Sequence, residues 1–416
     1  MFWLYRALSF LLSPLLLWRL HRSKLDRNSR KRGGLQRRGY VEAAGNRPVW
    51  IHAASVGEVN AVSPLIDVLL KRHPDVALLV STFTVSGADQ LQRRFEDRVA
   101  HRYLPVDRPG ACRRWLTTIN PRIGLVVETE IWPELFYQAK RRQLPLFLIN
   151  ARLSERSLKR TRYFRRLFAR ALSAVNKALC QSQTDADRLI ELGLDHDRAQ
   201  VVGNIKFDAP LPNGLLATSQ RLREQWGQRR IWVAGSTRPG EESILIDTHR
   251  MLLEHYPEAL LIIAPRHPER TNEVVKLIDS SRLNYQRIGE AVHADTQVVL
   301  VDQLGVLQAC YAAGSIAFVG GSLVDIGGHN LLEPAALGKP VVSGPHLHNQ
   351  IEMAQALDHA AAIMKVNDAQ SLYAAINELW ARPELALKQG RAALGVVEQG
   401  RGSLAATLKV IRPYLR

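Results

Sequence analysis

Acidic side chains follow two of the apolar runs in this sequence, where a carboxylate could act on a substrate. Glu58 comes after the run Val49–Ala53, in a Ser-Val-Gly turn. The carboxyl end of a parallel strand borders the ligand edge of an open α/β sheet, so a carboxylate there can serve as a general base. Glutamate also favours the first turn of a helix, because it compensates the helix dipole. The sequence leaves both roles open for Glu58.

A second acidic pair, Glu128 and Glu130, ends the apolar run Ile123–Val127. Side chains of a strand point alternately to its two faces. If the strand continues through Glu130, we predict that only one of the two carboxylates faces a ligand.

Two cations stand in comparable positions after strands. Lys206 follows the apolar segment Val201–Ile205, and Arg266 follows Ala259–Ala264 with Pro265 between them. A guanidinium binds phosphate bidentately, so Arg266 is well placed for a phosphorylated ligand. The sequence contains no Asp-x-Asp or His-Glu-x-x-His pattern and no histidines at ligand spacing, and we therefore expect no metal site.

A glycine-rich stretch, Phe318–Pro345, combines an apolar strand with two glycine pairs and a helix start. Asn330 is a good N-cap for a predicted helix over Leu331–Leu337. Free N–H groups at such a helix start suit an anion. Glu333 can close a capping box on Asn330 or accept hydrogen bonds from a ribose diol. This pattern is typical of nucleotide binding, although a structural glycine turn remains the alternative.

The elements that must position these residues alternate between strand and helix, which predicts an α/β protein of two Rossmann-like, doubly wound domains facing across a cleft. We predict a membrane anchor with a basic flank over 1–40, a first domain over 41–207, a linker over 208–214, and a second domain with the terminal helices over 215–416. The predicted strands are Val49–Ala53, Val76–Thr84, His101–Pro105, Ile123–Glu130, Leu146–Arg152, Ala178–Gln181, Val201–Ile205, Ile231–Ala234, Ala259–Ala264, Val298–Val301, Ile316–Val319, Pro340–Ser343 and Ala362–Val366.

The net charge of +17 is concentrated in two short stretches. Residues 1–40 contain ten Lys/Arg against one acid, and residues 151–170 contain eight against one. Such local patches favour anionic surfaces met at defined places rather than nucleic acid. The cations from Arg152 to Arg170 predict either a solvated helix or a landing surface for anionic lipid headgroups. Three scattered cysteines suit a reducing compartment.

Residues 1–20 are mostly apolar and lack a cleavage site, so a removed signal peptide is not expected. We predict an anchor that spans the membrane or lies in its interface. The positive flank on its C-terminal side places the remaining chain in the cytoplasm. A soluble helix packed on the first domain is the alternative.

Nine motifs in register over nearly the whole chain resemble the 3-deoxy-D-manno-octulosonic acid (Kdo) transferases of lipopolysaccharide biosynthesis. They are HAASVGE (52–58), YLPVD (103–107), ETEIWPEL (128–135), NARLSERS (150–157), GNIKFD (203–208), GSTRPGEE (235–242), PRHPER (265–270), FVGGSL (318–323) and GGHNLLEPAALGKPVVSGP (327–345). The resemblance implies a GT-B glycosyltransferase of the bacterial inner membrane that is inverting, metal-independent and without cofactor. CMP-Kdo is the implied donor and the lipid A precursor lipid IVA the implied acceptor.

The same resemblance implies roles for individual residues. Glu58 is the implied proton acceptor, and Glu128 and Lys206 are the implied stabilisers of the transition state. The implied CMP contacts are Pro265, Arg266, Leu304, Gly305, Val306, Asn330, Leu331, Leu332 and Glu333. Val306 departs from the acid that the family usually has at its position.

Two other functions compete with this interpretation. The chain could be a GT-B transferase for another nucleotide sugar, which screening of donors would reveal. It could also be a noncatalytic membrane protein that binds anionic lipid through its basic patches, in which case Glu58 has no role and CMP does not bind.

Overall fold

The computed structural model describes residues 1–21 and 33–415, and most of the predicted basic flank, residues 22–32, lies outside them. The chain forms two compact units. The first comprises Met1–Pro210 together with Gly400–Arg416, and the second comprises Leu211–Gln399.

The first unit contains a parallel sheet of seven strands in the order β3-β2-β1-β4-β5-β6-β7. Strands β1, β2 and β4 are buried along their whole length, as expected for a parallel sheet covered by helices on both faces. The strands are β1 Val49–His52, β2 Leu78–Thr82, β3 Ala100–Tyr103, β4 Ile123–Val127, β5 Leu146–Ala151, β6 Lys177–Cys180 and β7 Ala199–Val201.

Helices connect these strands and supply the two apolar layers of the core. Trp50 of β1 packs where a side chain at Gly124 of β4 would stand, since a Cβ at Gly124 would lie 2.8 Å from the Trp50 ring. The helices are α1 Phe2–His21, α2 over 33–37, α3 Val56–Arg72, α4 Val85–Phe95, α5 Pro109–Ile119, α6 Pro133–Arg141, α7 Glu155–Arg162, α8 Arg165–Leu172 and α9 Gln183–Leu192.

The second unit repeats the architecture with a parallel sheet in the order β10-β11-β9-β8-β12-β13-β14. Its strands are β8 Ile231–Thr237, β9 Leu260–Pro265, β10 Tyr285–Arg287, β11 Val298–Leu300, β12 Ile316–Val319, β13 Val341–Ser343 and β14 Ile363–Lys365. The sequence does not predict β10, because this short edge strand reads Tyr-Gln-Arg and has no apolar run.

The helices of the second unit flank its sheet. They are α10 Leu215–Trp226, α11 Glu241–His255, α12 Thr271–Ser281, α13 Leu307–Ala313, α14 Leu332–Ala335, α15 Ile351–His359, α16 Ala369–Ala381 and α17 Pro383–Gly400. The last helix of the chain, α18 Ser403–Ile411, belongs to the first unit.

The predicted assignment of the C-terminal residues to the second domain is therefore wrong from residue 400 onward. Ile411 and Leu415 are buried in a core cluster of the first unit that includes Val49 and Ile51. The Asp208 carboxylate caps the start of α18 by accepting hydrogen bonds from the backbone N–H groups at 402 and 404. An apolar helix is free to pack on either unit, so its place could not be predicted from local sequence.

The N-terminal helix α1 is attached to the first unit by buried polar pairs. Arg6 binds the fully buried Glu134 carboxylate through Nε at 2.6 Å and Nη2 at 2.9 Å. The Tyr5 hydroxyl donates to Asp107, whose carboxylate also accepts the N–H groups of Glu134 and Leu135. Among the described residues we find no helix whose length and apolar content would allow it to cross a bilayer.

Candidate active site

Glu58 lies in the first turn of α3, directly after β1, and its carboxylate closes the turn. Oε2 accepts a hydrogen bond from the Ala54 N–H at 2.7 Å, and Oε1 accepts one from the Ser55 hydroxyl at 3.0 Å. Burial and the nearby Glu130 and Glu128 carboxylates raise the pKa of Glu58 to about 7, although its two hydrogen bonds act to lower it. A pKa near neutral suits a general base. The same carboxylate thus serves the helix start and has the proton affinity of a base.

Glu128 follows β4 in the left-handed backbone region, with φ +56°. Its Oε1 lies 3.8 Å from the Lys206 Nζ, so the structure brings these two predicted site residues together. A positive φ is unfavourable for glutamate, and such outliers cluster at functional sites.

The turn that carries Lys206 is fixed by two asparagine side chains. Asn150 Oδ1 accepts the Ile205 N–H at 3.0 Å, and Asn204 Oδ1 accepts the Lys206 N–H at 3.0 Å. Asn150 is buried at the end of β5 with φ +51°, a region that asparagine adopts more readily than most residues. The predicted strand Val201–Ile205 is wrong after Val201, because β7 ends there and Ile205 begins this 3-10 turn.

Glu130 also contributes to the site, contrary to the prediction from strand alternation. Its Oε2 accepts a hydrogen bond from Trp132 Nε1 at 2.9 Å and lies 3.6 Å from His52 Nε2. Both Glu128 and Glu130 raise the pKa of Glu58. The alternation fails because β4 ends at Val127 and Glu128 has a left-handed conformation.

The predicted nucleotide contacts all lie in the second unit. Pro265 ends β9 and is buried, while Arg266 is exposed and its backbone N–H donates to the Thr237 carbonyl. Arg266 lies close enough to Glu333 to lower the pKa of that carboxyl, although burial outweighs this effect and raises it. The Pro-Arg and Asn-x-x-Glu segments therefore approach each other.

The segment from Asn330 to Glu333 forms a turn into α14, which is a single helical turn rather than the predicted helix over Leu331–Leu337. Asn330 Oδ1 accepts the Leu332 N–H at 3.2 Å, and Asn330 Nδ2 donates to Glu333 Oε1 at 3.2 Å. Of the two roles that the sequence left open for Glu333, the capping box is not formed in this way, because Glu333 accepts from the Asn330 side chain. Leu331 is buried beneath this side-chain pair.

The loop of Leu304, Gly305 and Val306 leads into α13. Leu304 is exposed, Gly305 has φ +88°, and Val306 packs against the core beside α13. Gln308 of α13 hydrogen-bonds Glu333, so this loop adjoins the Asn-x-x-Glu segment.

Sequence reasoning missed three residues that the structure places together: Arg238, His267 and His329. Arg238 Nε donates to His329 Nε2 at 3.0 Å, and Arg238 Nη1 donates to His267 Nε2 at 2.9 Å. Burial, and then the neighbouring Arg238 and Arg266, lower the pKa of His329 to about 4. All three residues stand inside motifs that carry the family resemblance, which was the available signal.

Metal ligation has no evident place in the described part of the chain. Among residues 1–21 and 33–415, no group of three or more His, Cys, Asp or Glu side chains is arranged to hold a metal ion. The three cysteines are buried and unpaired.

Comparison with known proteins shows the family to which the chain belongs. A sequence profile described as 3-deoxy-D-manno-octulosonic-acid transferase (kdotransferase) matches residues 28–209. A 3-deoxy-D-manno-octulosonic acid transferase of Haemophilus influenzae is 38% identical over 371 residues, which are 88% of this chain and 87% of that protein. The chain belongs to the Kdo transferase family. The Kdo transferase of Bordetella pertussis is 33% identical over 381 residues, again 88% and 87% of the two chains.

The solved structures add the fold of this Kdo transferase. A glycosyltransferase of Rickettsia africae superposes with a TM-score of 0.56 at 15% identity, covering 89% of this chain and all of that one. This likeness and the two doubly wound parallel units confirm the predicted α/β, GT-B fold class. The chain is thus a Kdo-transferring glycosyltransferase.

Proposed function

We propose that this Kdo transferase moves Kdo from CMP-Kdo to the lipid A precursor lipid IVA, in the inner-core stage of lipopolysaccharide synthesis. The observation that carries the proposal is the Glu58 carboxylate, whose pKa of about 7 lies where a general base is most useful. An acceptor hydroxyl is a poor nucleophile and requires such a base.

The proposed reaction is a single displacement with inversion. The acceptor oxygen bonds to the anomeric carbon of Kdo while its proton passes to Glu58. The bond from that carbon to the phosphate oxygen breaks, and its electron pair leaves with CMP as a phosphate monoester. The Glu128 carboxylate stabilises positive charge that develops on the sugar, and Lys206 Nζ lies 3.8 Å from this carboxylate.

The donor contacts in this proposal come from the second unit. Arg266 binds phosphate, Glu333 and Asn330 bind the nucleoside, and Pro265, Leu331, Leu332 and the Leu304–Val306 loop shape the pocket around it. The cationic side chains offset the negative charge of the departing phosphate. In other transferases a metal ion provides this positive charge. No metal or other cofactor is therefore part of the proposal.

In this proposal the acceptor lies in the membrane, and the first unit has a surface suited to membrane contact. The exposed side of α1 is apolar, with Trp3 74% and Leu11 71% exposed. Between α7 and α8, Tyr163 and Phe164 are also exposed among arginines. Apolar and aromatic side chains beside cations are typical of helices that lie in a membrane interface with anionic lipids. We propose that this surface rests on the cytoplasmic side of the bacterial inner membrane, with α1 lying in the interface.

The test is the Glu58→Gln variant, which keeps the shape and removes proton acceptance. With CMP-Kdo and lipid IVA, its turnover should fall by roughly 10²- to 10⁴-fold, as for loss of a general base, while CMP binding persists. Asp67→Asn removes a partly exposed carboxylate on the same helix that pairs with Arg94, and should turn over normally. Product mass on lipid IVA identifies the transferred sugar. Near-normal turnover of Glu58→Gln would refute the base, and transfer from a different nucleotide sugar would refute the donor.

A further inference from the structure

The loops after β8 and β9 carry three arginines, and their partners differ. Arg270 pairs with the Glu242 carboxylate at 2.9 Å and with Glu273 at 3.0 Å. Within the described ranges, neither Arg238 nor Arg266 has a carboxylate within ion-pair distance of its guanidinium. Both lie close enough to His329 to lower its pKa. This edge of the second sheet therefore has two arginines that form no ion pair with a carboxylate among the described residues.

The Arg238 guanidinium is held in one orientation by two imidazole rings. Arginine only donates hydrogen bonds, so His329 Nε2 and His267 Nε2 must both be unprotonated acceptors. His267 Nδ1 lies 3.3 Å from the Glu269 carboxylate, which favours the proton on that other nitrogen. Since the pKa of His329 is about 4, its ring remains an acceptor at neutral pH. The other guanidinium N–H groups of Arg238 have no protein acceptor among residues 1–21 and 33–415.

The backbone around Arg238 is built to hold this arrangement. The buried Glu241 carboxylate accepts the backbone N–H groups of Arg238, Gly321 and Ser322 at 2.7–2.9 Å. Gly321 has φ +69°, and a Cβ there would lie 2.8 Å from the His329 ring. A side chain at Gly321 would displace His329 from Arg238, so the glycine serves the histidine contact.

We propose that Arg238 binds an oxyanion of the donor, either the leaving phosphate or the carboxylate of the transferred sugar acid. The proposal rests on the proposed function, because CMP-Kdo carries both of these anions. Two arginines without carboxylate partners match two anionic groups on one ligand. A guanidinium that is already oriented loses little freedom when it binds an oxyanion through two parallel N–H groups.

Binding of cytidine, CMP and CMP-Kdo to the full-length Arg238→Gln variant, measured by calorimetry, tests this assignment. Losing a charged hydrogen bond should weaken CMP-Kdo binding by roughly 10- to 100-fold. If Arg238 binds the phosphate, the affinity for CMP should fall by the same factor as the affinity for CMP-Kdo. If it holds the sugar carboxylate, CMP is unaffected. Cytidine, which has neither anion, should bind as it does to the parent protein.

The control variant is Arg382→Gln. Arg382 is an exposed arginine directly after α16 and pairs with Glu378. The neighbouring Trp380 donates to Ser315, which directly precedes β12, so Arg382 lies near the amino ends of the strands rather than their carboxyl ends. All three ligands should bind it normally. Unchanged CMP-Kdo affinity in Arg238→Gln would overturn the proposal, and so would an equal loss of cytidine binding, which would indicate a damaged pocket.

A pair of His329 variants separates orientation from general structure. His329→Gln retains an acceptor for Arg238 Nε, whereas His329→Leu removes it. Gln should therefore preserve more CMP-Kdo affinity than Leu, and equal losses would contradict the orienting role.

Failure of the proposed function has a different signature. A parent protein that binds CMP-Kdo without transferring Kdo refutes the reaction and leaves Arg238 testable. If the parent does not bind CMP-Kdo, the donor assignment fails. CMP binding to the parent and to Arg238→Gln then tests by itself whether Arg238 binds the phosphate.

Discussion

The reactivity of this site depends on how a few carboxylates influence one another. Glu58 hydrogen-bonds Ala54 and Ser55, which favours its charged form, yet burial and two neighbouring acids outweigh these bonds. Of the two acids, Glu130 has the larger effect. Glu130 itself is held by Trp132 and faces the buried His52. The basicity of Glu58 is thus set by burial and by its acidic neighbours, of which Glu130 has no direct role in the proposed reaction.

We predict a pH dependence with a definite sign. A general base must be deprotonated, so kcat should fall as the pH drops through about 7, the pKa of Glu58. Glu130→Gln removes a like charge that raises this pKa, and the acidic limb of the kcat profile should therefore move to lower pH. Asp67→Asn, on the same helix, should leave the limb in place. A limb that stays or moves upward in Glu130→Gln would contradict the electrostatic coupling.

At the scale of single elements, α1 combines an apolar exposed side with a polar attachment. Arg6 is mostly buried against the fully buried Glu134, and Gln138 donates to the same carboxylate. Arg6 also lies over the Phe2 and Tyr137 rings. A helix that only touched lipid would not need such an ion pair, so α1 is part of the first unit as well as a membrane contact in our proposal.

Arg6→Ala should destabilise the first unit strongly, because it leaves the Glu134 charge buried and without its cation. Loss of one partner of a buried pair typically costs about 3–5 kcal/mol. Denaturant unfolding should show this loss, and Arg6→Ala combined with Glu134→Gln should recover part of it. A single variant as stable as the parent would mean that the pair contributes little.

The basic segment from Arg152 to Arg170 is two helices rather than the one that was predicted. It breaks at Tyr163 and Phe164, and both aromatic side chains are exposed there. Some of its cations have partners, since Lys159 pairs with Glu155 and Arg162 approaches Glu191. Arg156, Arg160 and Arg166 are exposed and form no ion pair within the described residues.

Replacing Arg156, Arg160 and Arg166 together by Gln should raise KM for lipid IVA and leave CMP binding unchanged. The effect should shrink with salt, because the Debye length falls from about 10 Å at 0.1 M to about 3 Å at 1 M. Kinetics at both ionic strengths measure it. The matched control replaces Lys71, Arg72 and Arg93, which are exposed cations on other helices of the same unit. An unchanged KM at low salt would show that α7 and α8 are only a solvated face.

At the scale of the whole molecule, the chain ends in the unit where it began. The C-terminal helix α18 contributes Ile411 to the core around β1 and is capped by Asp208. The first unit is therefore assembled from two distant parts of the chain, and its stability depends on both.

Ile411→Ala should cost about 2–5 kcal/mol of unfolding free energy, the usual range for such a truncation in a packed core. Denaturant unfolding monitored with probes in each unit should place this loss in the first unit. Leu387→Ala, at an exposed position on α17, should change stability little. A loss confined to the second unit would refute the assignment of α18.

The parallel α/β architecture and the family could be predicted from sequence, because both depend on local signals. Buried parallel strands are continuous apolar runs, and thirteen of the fourteen strands within residues 1–21 and 33–415 were predicted at least in part. The strand not predicted in this part of the chain is β10, since its residues are polar. The motifs likewise name Glu58, Glu128, Lys206 and Arg266 without reference to their surroundings.

Tertiary structure alone decided how these residues act on one another. Glu128 has a left-handed backbone, and its distance to Lys206 depends on a turn that Asn150 holds from another strand. Arg238 is held by hydrogen bonds to two histidines that lie 29 and 91 residues away in the chain. The placement of α18 also depends on distant residues. Hydrogen bonds and electrostatic coupling act through space over a few ångströms, and sequence spacing does not encode that proximity.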